Sequence, residues 1–234
     1  MKPNNPCISI IIPTLNEAGH IAGLLDHLKG NSNPLLIREI LVVDGGSEDI
    51  TPFLAAEKGA VVLHSRRGRA VQLNLGAEKA SGDILYFLHA DTFPPANFDT
   101  TIVKAVEDRY KAGCFRMRFD SESWFLSFFA WFTRFNHPIC RGGDQSLFVT
   151  RSLFYYCGGF NEAYRIYEDN EFTSRLYKKT SFTVLPGQVT TSARKYREKN
   201  PLSLQFHFGI MHFKKLLGAG PDTLHRYYSR NIAL

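Results

Sequence analysis

The chain has 234 residues, 44% of them hydrophobic and 21% charged with both signs interleaved, which supplies a full core and excludes a disordered or low-complexity protein. A formal net charge of +6 favours anionic ligands or surfaces without separating a nucleoside diphosphate from nucleic acid or anionic lipid. Cys7, Cys114, Cys140 and Cys157 lie far apart, with no C-x-x-C pair and no histidine at zinc-ligand spacing. They read as buried reduced thiols of a cytoplasmic protein.

In chain order, the polar segment Met1 to Pro6 lacks a signal peptide's apolar core and runs into a β-branched strand, Ile8 to Ile12, stopped by Pro13. Ile21, Leu24, Leu25 and Leu28 predict a helix from Glu17 to Lys29 before Gly30. The pattern repeats as strand Glu39 to Val43, helix Thr51 to Lys58, strand Ala60 to His64, helix Arg69 to Lys79 and strand Asp83 to Leu88. Such alternation predicts an α/β fold, a Rossmann-like, mostly parallel sheet flanked by helices, with ligands outside the carboxyl ends of the strands. Beyond Pro95 the rhythm becomes α+β. A helix from about Asn97 to Asp108, a strand from Ala112 to Phe119, an aromatic helix and a loop from Asn136 to Gln145 come first. A strand from Ser146 to Thr150, helices from Asp169 to Lys178 and Pro201 to Leu217, and a basic, Tyr-rich tail follow. The apolar run Trp124-Phe-Leu-Ser-Phe-Phe-Ala-Trp-Phe132 is too short to cross a bilayer, which takes roughly 20 residues. With no repeat and no linker, a single domain over residues 1–234 is expected.

The polar clusters of the first half fall at strand ends. Asp44-Gly-Gly-Ser-Glu-Asp-Ile-Thr51 sets a carboxylate where it can accept hydrogen bonds from a nucleobase or ribose, two glycines for a tight turn, and Ser47, Asp49 and Thr51 as helix-capping residues. Ser65-Arg-Arg-Gly-Arg69 leads into a helix N-terminus, where Arg67 and Arg69 favour phosphate; a solvated basic loop is the alternative for Arg66 and Arg67. Gln72 and Asn74 read as facing solvent. Asp169 either caps the helix it opens or projects into a cleft. Arg141-Gly-Gly-Asp-Gln145 reads as a mobile lid or as a surface turn. The aromatic stripe (Trp124, Phe125, Phe128, Phe129, Trp131, Phe132) reads as core or site wall, with contact to a membrane surface as the alternative.

Pro13-Thr-Leu-Asn-Glu17, Asp44-Gly-Gly-Ser-x-Asp-x-Thr51, Gly68-Arg-Ala-x-Gln-x-Asn-x-Gly76, Gly82-Asp-x-Leu-x-Phe-Leu-His-Ala-Asp-Thr92, Gly143-Asp-Gln145, Gly158-Gly-Phe160 and Glu168-Asp169 occur in order. Together they resemble the family 2 inverting glycosyltransferases, a bacterial subgroup among them, over nearly the whole chain. The resemblance implies an A-type glycosyltransferase fold, with residues 7–95 as the nucleotide-sugar half and 96–234 as the acceptor-side half. It implies inverting transfer from a UDP- or GDP-linked sugar to an acceptor it does not specify, lipid-linked ones included. Donor contacts fall to Pro13, Thr14, Asn16, Glu17, Asp44, Arg67, Arg69, His89, Ala90 and Asp91, and acceptor or lid contacts to Asp144, Gln145 and Glu168. Asp169 becomes the general base, acting as the acceptor hydroxyl acidifies during attack.

One departure matters. The family's Asp-x-Asp metal motif is His89-Ala90-Asp91 here. Asp91 is left to hold Mg²⁺ or Mn²⁺ against the diphosphate, which suits hard ions satisfied by one or two protein carboxylates plus phosphate oxygens. A helix cap before Pro94 is the alternative for Asp91, and a structural role the alternative for His89. Two rival functions remain: a sugar-1-phosphate nucleotidyltransferase, whose glycine-rich signature after the first strand is missing, and a nucleotide-sugar-binding protein without turnover. No helix-turn-helix, RNA-recognition or zinc motif supports nucleic-acid binding. Attachment at the inner membrane surface stays open beside a purely cytoplasmic location.

Overall fold

The computed structural model describes residues 6–142 and 145–232, so Asp144 and its expected lid contact lie outside the described residues. The strands are β1 (Ile8–Thr14), β2 (Ile37–Asp44), β3 (Val61–His64), β4 (Ile84–Phe87), β5 (Thr92–Phe93), β6 (Ala112–Phe119), β7 (Leu147–Thr150) and β8 (Phe182–Thr191). They form one sheet in the order β3-β2-β1-β4-β7-β6-β8-β5. β3, β2, β1 and β4 are mutually parallel. β7 runs antiparallel between β4 and β6, β8 lies parallel to β6, and β5 is antiparallel to β8. The mostly parallel sheet is as expected, and β7 marks the passage into the second half.

β1 shows why the sheet is covered on both faces. Ile8, Ile10 and Ile12 pack into one core with Leu24, Leu25, Phe98 and Ile102, while Ile11 packs into the other with Val43, Leu73 and Ala77. A strand buried on both sides needs a nearly continuous apolar run instead of an alternation. The first core holds α1 (Ile21–Gly30), α2 (Thr51–Glu57) and α4 (Phe98–Glu107) against the sheet; the second holds α3 (Arg69–Lys79), α6 (Arg151–Tyr156) and α7 (Glu168–Lys179). At Gly76 of α3 a Cβ would come within 2.4 Å of Ile11 Cγ2, so glycine sets how closely this helix lies on β1. Beyond the sheet, α5 (Trp124–Trp131), α8 (Arg194–Glu198), α9 (Pro201–Leu216) and α10 (Pro221–Asn231) build two smaller clusters that share Tyr196.

Several expectations are corrected. α1 starts four residues after Glu17, because Asn16 takes a left-handed φ of 56° and Glu17 to His20 form a turn. β8 escapes the sequence pattern because Pro186 and Gly187 interrupt it; its register against β6 slips there, as a bulge requires. The Tyr-rich tail is the helix α10, with proline in its first turn. All four cysteines are free, but only Cys114 is buried. None of the described helices is long and apolar enough to cross a membrane.

Candidate active site

The chain lays β2 and β3 on one side of β1 and returns to place β4 on the other. Strand order therefore reverses between β1 and β4, and a crevice opens outside their carboxyl ends. Pro13 to Glu17 leave the end of β1, and His89, Ala90 and Asp91 leave the end of β4, so both expected donor segments flank this crevice. Ala90 itself is buried in the core. Asp91 sits in a tight turn closed by the Thr92 N–H on the His89 carbonyl.

Hydrogen bonds bind the loops after β1 and β2 into one unit. Asp44 is buried, and its carboxylate accepts from the Gly46 and Ser47 N–H groups and from the Ser47 and Thr14 hydroxyls. Those four bonds fix the Asp44 carboxylate at the turn that ends β2, with His64 Nδ1 3.9 Å from Oδ2. The expected helix caps do something else as well: the N-cap position of α2 is Ile50, with no side-chain cap. Asp49 Oδ1 accepts the Thr51 N–H at the start of α2, while Ser47 Oγ, Thr51 Oγ1 and Asp49 Oδ2 accept the backbone N–H groups of Asn16, Glu17 and Ala18. The Asn16 amide oxygen accepts from Glu48 N–H in return. Hydrogen bonding from Thr51 hydroxyl and backbone, outweighing the slight desolvation, holds the Asp49 carboxyl below its ordinary value.

Gln72 and Asn74 do not face solvent. Gln72 is 5% exposed, and its amide donates to the carbonyls of Thr14 and Val43, each at 2.8 Å, which ties α3 to the ends of β1 and β2. Asn74 exchanges two hydrogen bonds with the Phe160 backbone, tying the same helix to the Gly158–Phe160 turn.

The N-termini of α3 and α7 meet beside the crevice. Arg69 Nη1 lies 3.2 Å from Glu168 Oε1 and 3.7 Å from Asp169 Oδ2, and His89 Nε2 lies 3.8 Å from that same Asp169 oxygen. Glu168 is buried, with Oε2 lacking a hydrogen-bond partner among the described residues. The side chains of Asp169 and His89 keep 19% and 18% of their surface exposed, which leaves the carboxylate accessible to a reactant. Asp169 is not a cap: that position belongs to Tyr167, in the left-handed region. The acidic first turn is favoured by the positive end of the helix dipole. Arg66 is engaged by Glu162 at 2.7 Å, and Arg67 is exposed on the same loop.

Asp169 and Arg69 also line a cavity of about 500 Å³, walled by Phe129, Phe132 and Ile139 on one side and by Phe208, Met211 and Tyr228 on another. The ends of the expected lid are anchored here: Arg141 donates to the Thr133 and Phe135 carbonyls, and the buried Gln145 donates to the Phe115 carbonyl while lining the cavity. Sequence reasoning missed Tyr167 and His212, whose hydroxyl and Nδ1 lie 2.6 Å apart on the wall. Burial pushes Tyr167 up to about 12, helped by Tyr164, and burial pushes His212 down; both are neutral near pH 7. No short motif marks such residues, because Tyr167 precedes α7 and His212 lies on α9, forty-five residues apart in the chain.

Among the described residues no cluster of three or more His, Cys, Asp or Glu side chains could enclose a metal. A single carboxylate such as Asp91 beside the crevice would suit a hard ion that also shares oxygens of a bound phosphate and keeps waters. It does not fit an ion held by protein alone.

An α/β sheet with its crevice between β1 and β4, and helix-borne acids turned toward it, is the architecture of the A-type glycosyltransferases. The mannosyltransferase PcManGT from Pyrobaculum calidifontis, solved with GDP-Man and Mn²⁺, superposes with a TM-score of 0.68 at 23% identity, covering 97% of this chain and 70% of that one. S. aureus TarS superposes with a TM-score of 0.67 at 18% identity, covering 80% and 37%. The family model for glycosyl transferase family 2 matches residues 9–185, and the chain belongs to that family. A PGL/p-HBAD biosynthesis glycosyltransferase of Mycobacterium bovis is 29% identical over 210 residues, 85% of this chain and 79% of that protein. The glycosyltransferase AglE of Haloferax volcanii is 34% identical over 101 residues, which span 40% of this chain and only 33% of AglE.

Proposed function

We propose that the chain transfers a sugar from a UDP- or GDP-linked donor to a hydroxyl of an acceptor seated in the cavity, by a single displacement that inverts the anomeric carbon. The observation that carries this reading is the meeting of Asp169 with Arg69 and His89 where the cavity adjoins the β1–β4 crevice. Asp169 takes the proton of the acceptor hydroxyl as the new carbon–oxygen bond forms and the bond to the diphosphate oxygen breaks. Arg69, steadied by Glu168, offsets charge growing on the departing diphosphate. His89 is placed to orient the Asp169 carboxylate. Asp91 and the diphosphate oxygens are the groups that would hold Mg²⁺ or Mn²⁺, whose contribution when bound is further neutralisation of that charge.

The nucleotide classes are supported by GDP-Man and Mn²⁺ in the PcManGT complex and by UDP in a TarS complex. The apolar walls favour an acceptor whose hydroxyl is carried on a largely apolar body. A thermal-shift screen of UDP, GDP, ADP, CDP and TDP with and without Mn²⁺ tests the donor side. One nucleotide at about 100 times its Kd stabilises by about 2.7 kcal/mol, and this gain is lost in Asp91→Ala when metal is present. Stabilisation by none of them overturns the reading, and an α-linked product from an α-linked donor overturns the single displacement.

A further inference from the structure

Two helices that frame the cavity carry apolar stripes that the described chain leaves bare. On α5 and the turn that continues it, Trp124, Phe128, Trp131 and Phe135 recur at helical spacing, and on α9 Leu202, Phe206, Phe213 and Leu216 do the same. All are exposed, Trp124 at 78% and Leu216 at 76%. The inner faces of these helices are already satisfied: Leu126 and Ala130 pack beneath α5, and Leu204 and Met211 beneath α9. Packing within the described chain therefore does not account for the outer stripes, and contiguous apolar surface of this kind marks a docking site.

Charge identifies what docks. From residue 192 onward eight Lys and Arg stand against two acids; Arg194 and Arg197 pair with Glu17 and Asp120, which leaves six of these cations, Lys214 and Lys215 among them, against the two acids. α5 and α9 contain no acidic residue. Lys214 and Lys215 at the end of α9 meet the rings of Tyr227 and Tyr164, which are neutral partners. Arg134 lies 4.7 Å from the ring centre of Trp131. A second copy of this chain would bring the same cations face to face, which is repulsive. An anionic bilayer offers acyl chains to the stripes, headgroup depth to the tryptophans and phosphates to the lysines.

We propose that α5 and α9 form a peripheral docking face for anionic membrane surfaces, which would bring the cavity's apolar walls next to lipid. The claim needs neither donor nor acceptor to be bound, so its test is independent of the transferase reading. The full chain is sedimented with phosphatidylcholine vesicles lacking or containing phosphatidylglycerol. It should sediment with the anionic vesicles, far less with the neutral ones, and be released at about 1 M salt, where screening length falls to about 3 Å. Trp124→Ser with Phe128→Ser, and separately Phe206→Ser with Phe213→Ser, should each lower partitioning by at least about tenfold while keeping the thermal midpoint. Lys214→Glu with Lys215→Glu should erase the preference for anionic lipid. Failure to sediment with anionic vesicles at low salt, or unchanged partitioning of the Ser variants, overturns the proposal. A wild-type dimer that light scattering shows to be split by the same Ser substitutions overturns it as well.

Discussion

Replacing Gln72 with alanine tests what holds the crevice in shape. The side chain is buried, and its amide reaches two carbonyls at 2.8 Å, one at the end of each of two parallel strands. The Thr14 carbonyl keeps a second bond from the Gly45 N–H at 2.9 Å, so its loss is partial. The two lost bonds together cost about 2 kcal/mol, and the missing methylene packing costs about 1 kcal/mol more. At this chain length each kcal/mol moves the melting temperature by about 2–4 °C, so a fall of roughly 6–12 °C is expected in scanning calorimetry. Gln72→Glu keeps the methylenes but turns an acceptor group toward two carbonyl oxygens, and it should melt lower than the alanine variant near pH 7. An alanine variant that melts within about 2 °C of wild type, or a glutamate variant that outlasts it, refutes the bridging role.

Gly76→Ala pits two effects against each other: helix propensity favours alanine by about 1 kcal/mol, but the new Cβ would lie 2.4 Å from Ile11 Cγ2 and 3.1 Å from Val43 Cγ2. Overpacking costs about 1–3 kcal/mol, so urea denaturation should find the variant less stable, and a gain would disprove the close approach of α3. Asp169→Asn should slow sugar transfer by about 10²- to 10⁴-fold while nucleotide-induced stabilisation persists; initial rates equal to wild type would end its assignment as the base. Burial alone would raise the Glu39 carboxyl, but hydrogen bonds from Ser81 and Ser9, with Arg38 nearby, hold it below its ordinary value of 4.5. A carboxyl depressed in the folded state stabilises above its unfolded value and loses that contribution as pH falls through the folded one. The melting difference between wild type and Glu39→Gln should therefore be largest above about pH 5 and shrink toward pH 3; a difference that stays constant across that range argues against the depression.

The first half of the fold was legible because β1, β2 and β4 are apolar runs covered on both faces and separated by helices with regular spacing, so period and punctuation agreed. β8 was not, because its Pro-Gly bulge breaks the pattern at the point where the strand bends. At the site, Arg69, His89 and Asp169, which the structure brings together, stand at motif positions visible in the sequence. The bonds of Ser47, Asp49 and Thr51 to the loop after β1 were not visible, since that loop lies some thirty residues earlier in the chain. Gln72 and Asn74 were misread for a similar reason: a polar side chain on a helix gives no local sign that a strand end or a turn lies against it. The cavity was the least legible part, because its walls are gathered from Arg69 and from several separate stretches between Met117 and Tyr228.

The antiparallel strand β7 has a consequence during synthesis. All four residues of β4 are buried, and β7 seals its outer edge through pairing from Leu147 to Thr150. That partner leaves the ribosome about sixty residues after β4, and until it arrives Ile84 to Phe87 present unpaired backbone groups on an apolar strand, a template for aggregation. A fragment ending near residue 95 would keep that edge permanently. The same stretch of chain that leads to Asp169 thus also covers the edge of the parallel strands, so residues up to about 95 cannot be separated from the second half without becoming adhesive.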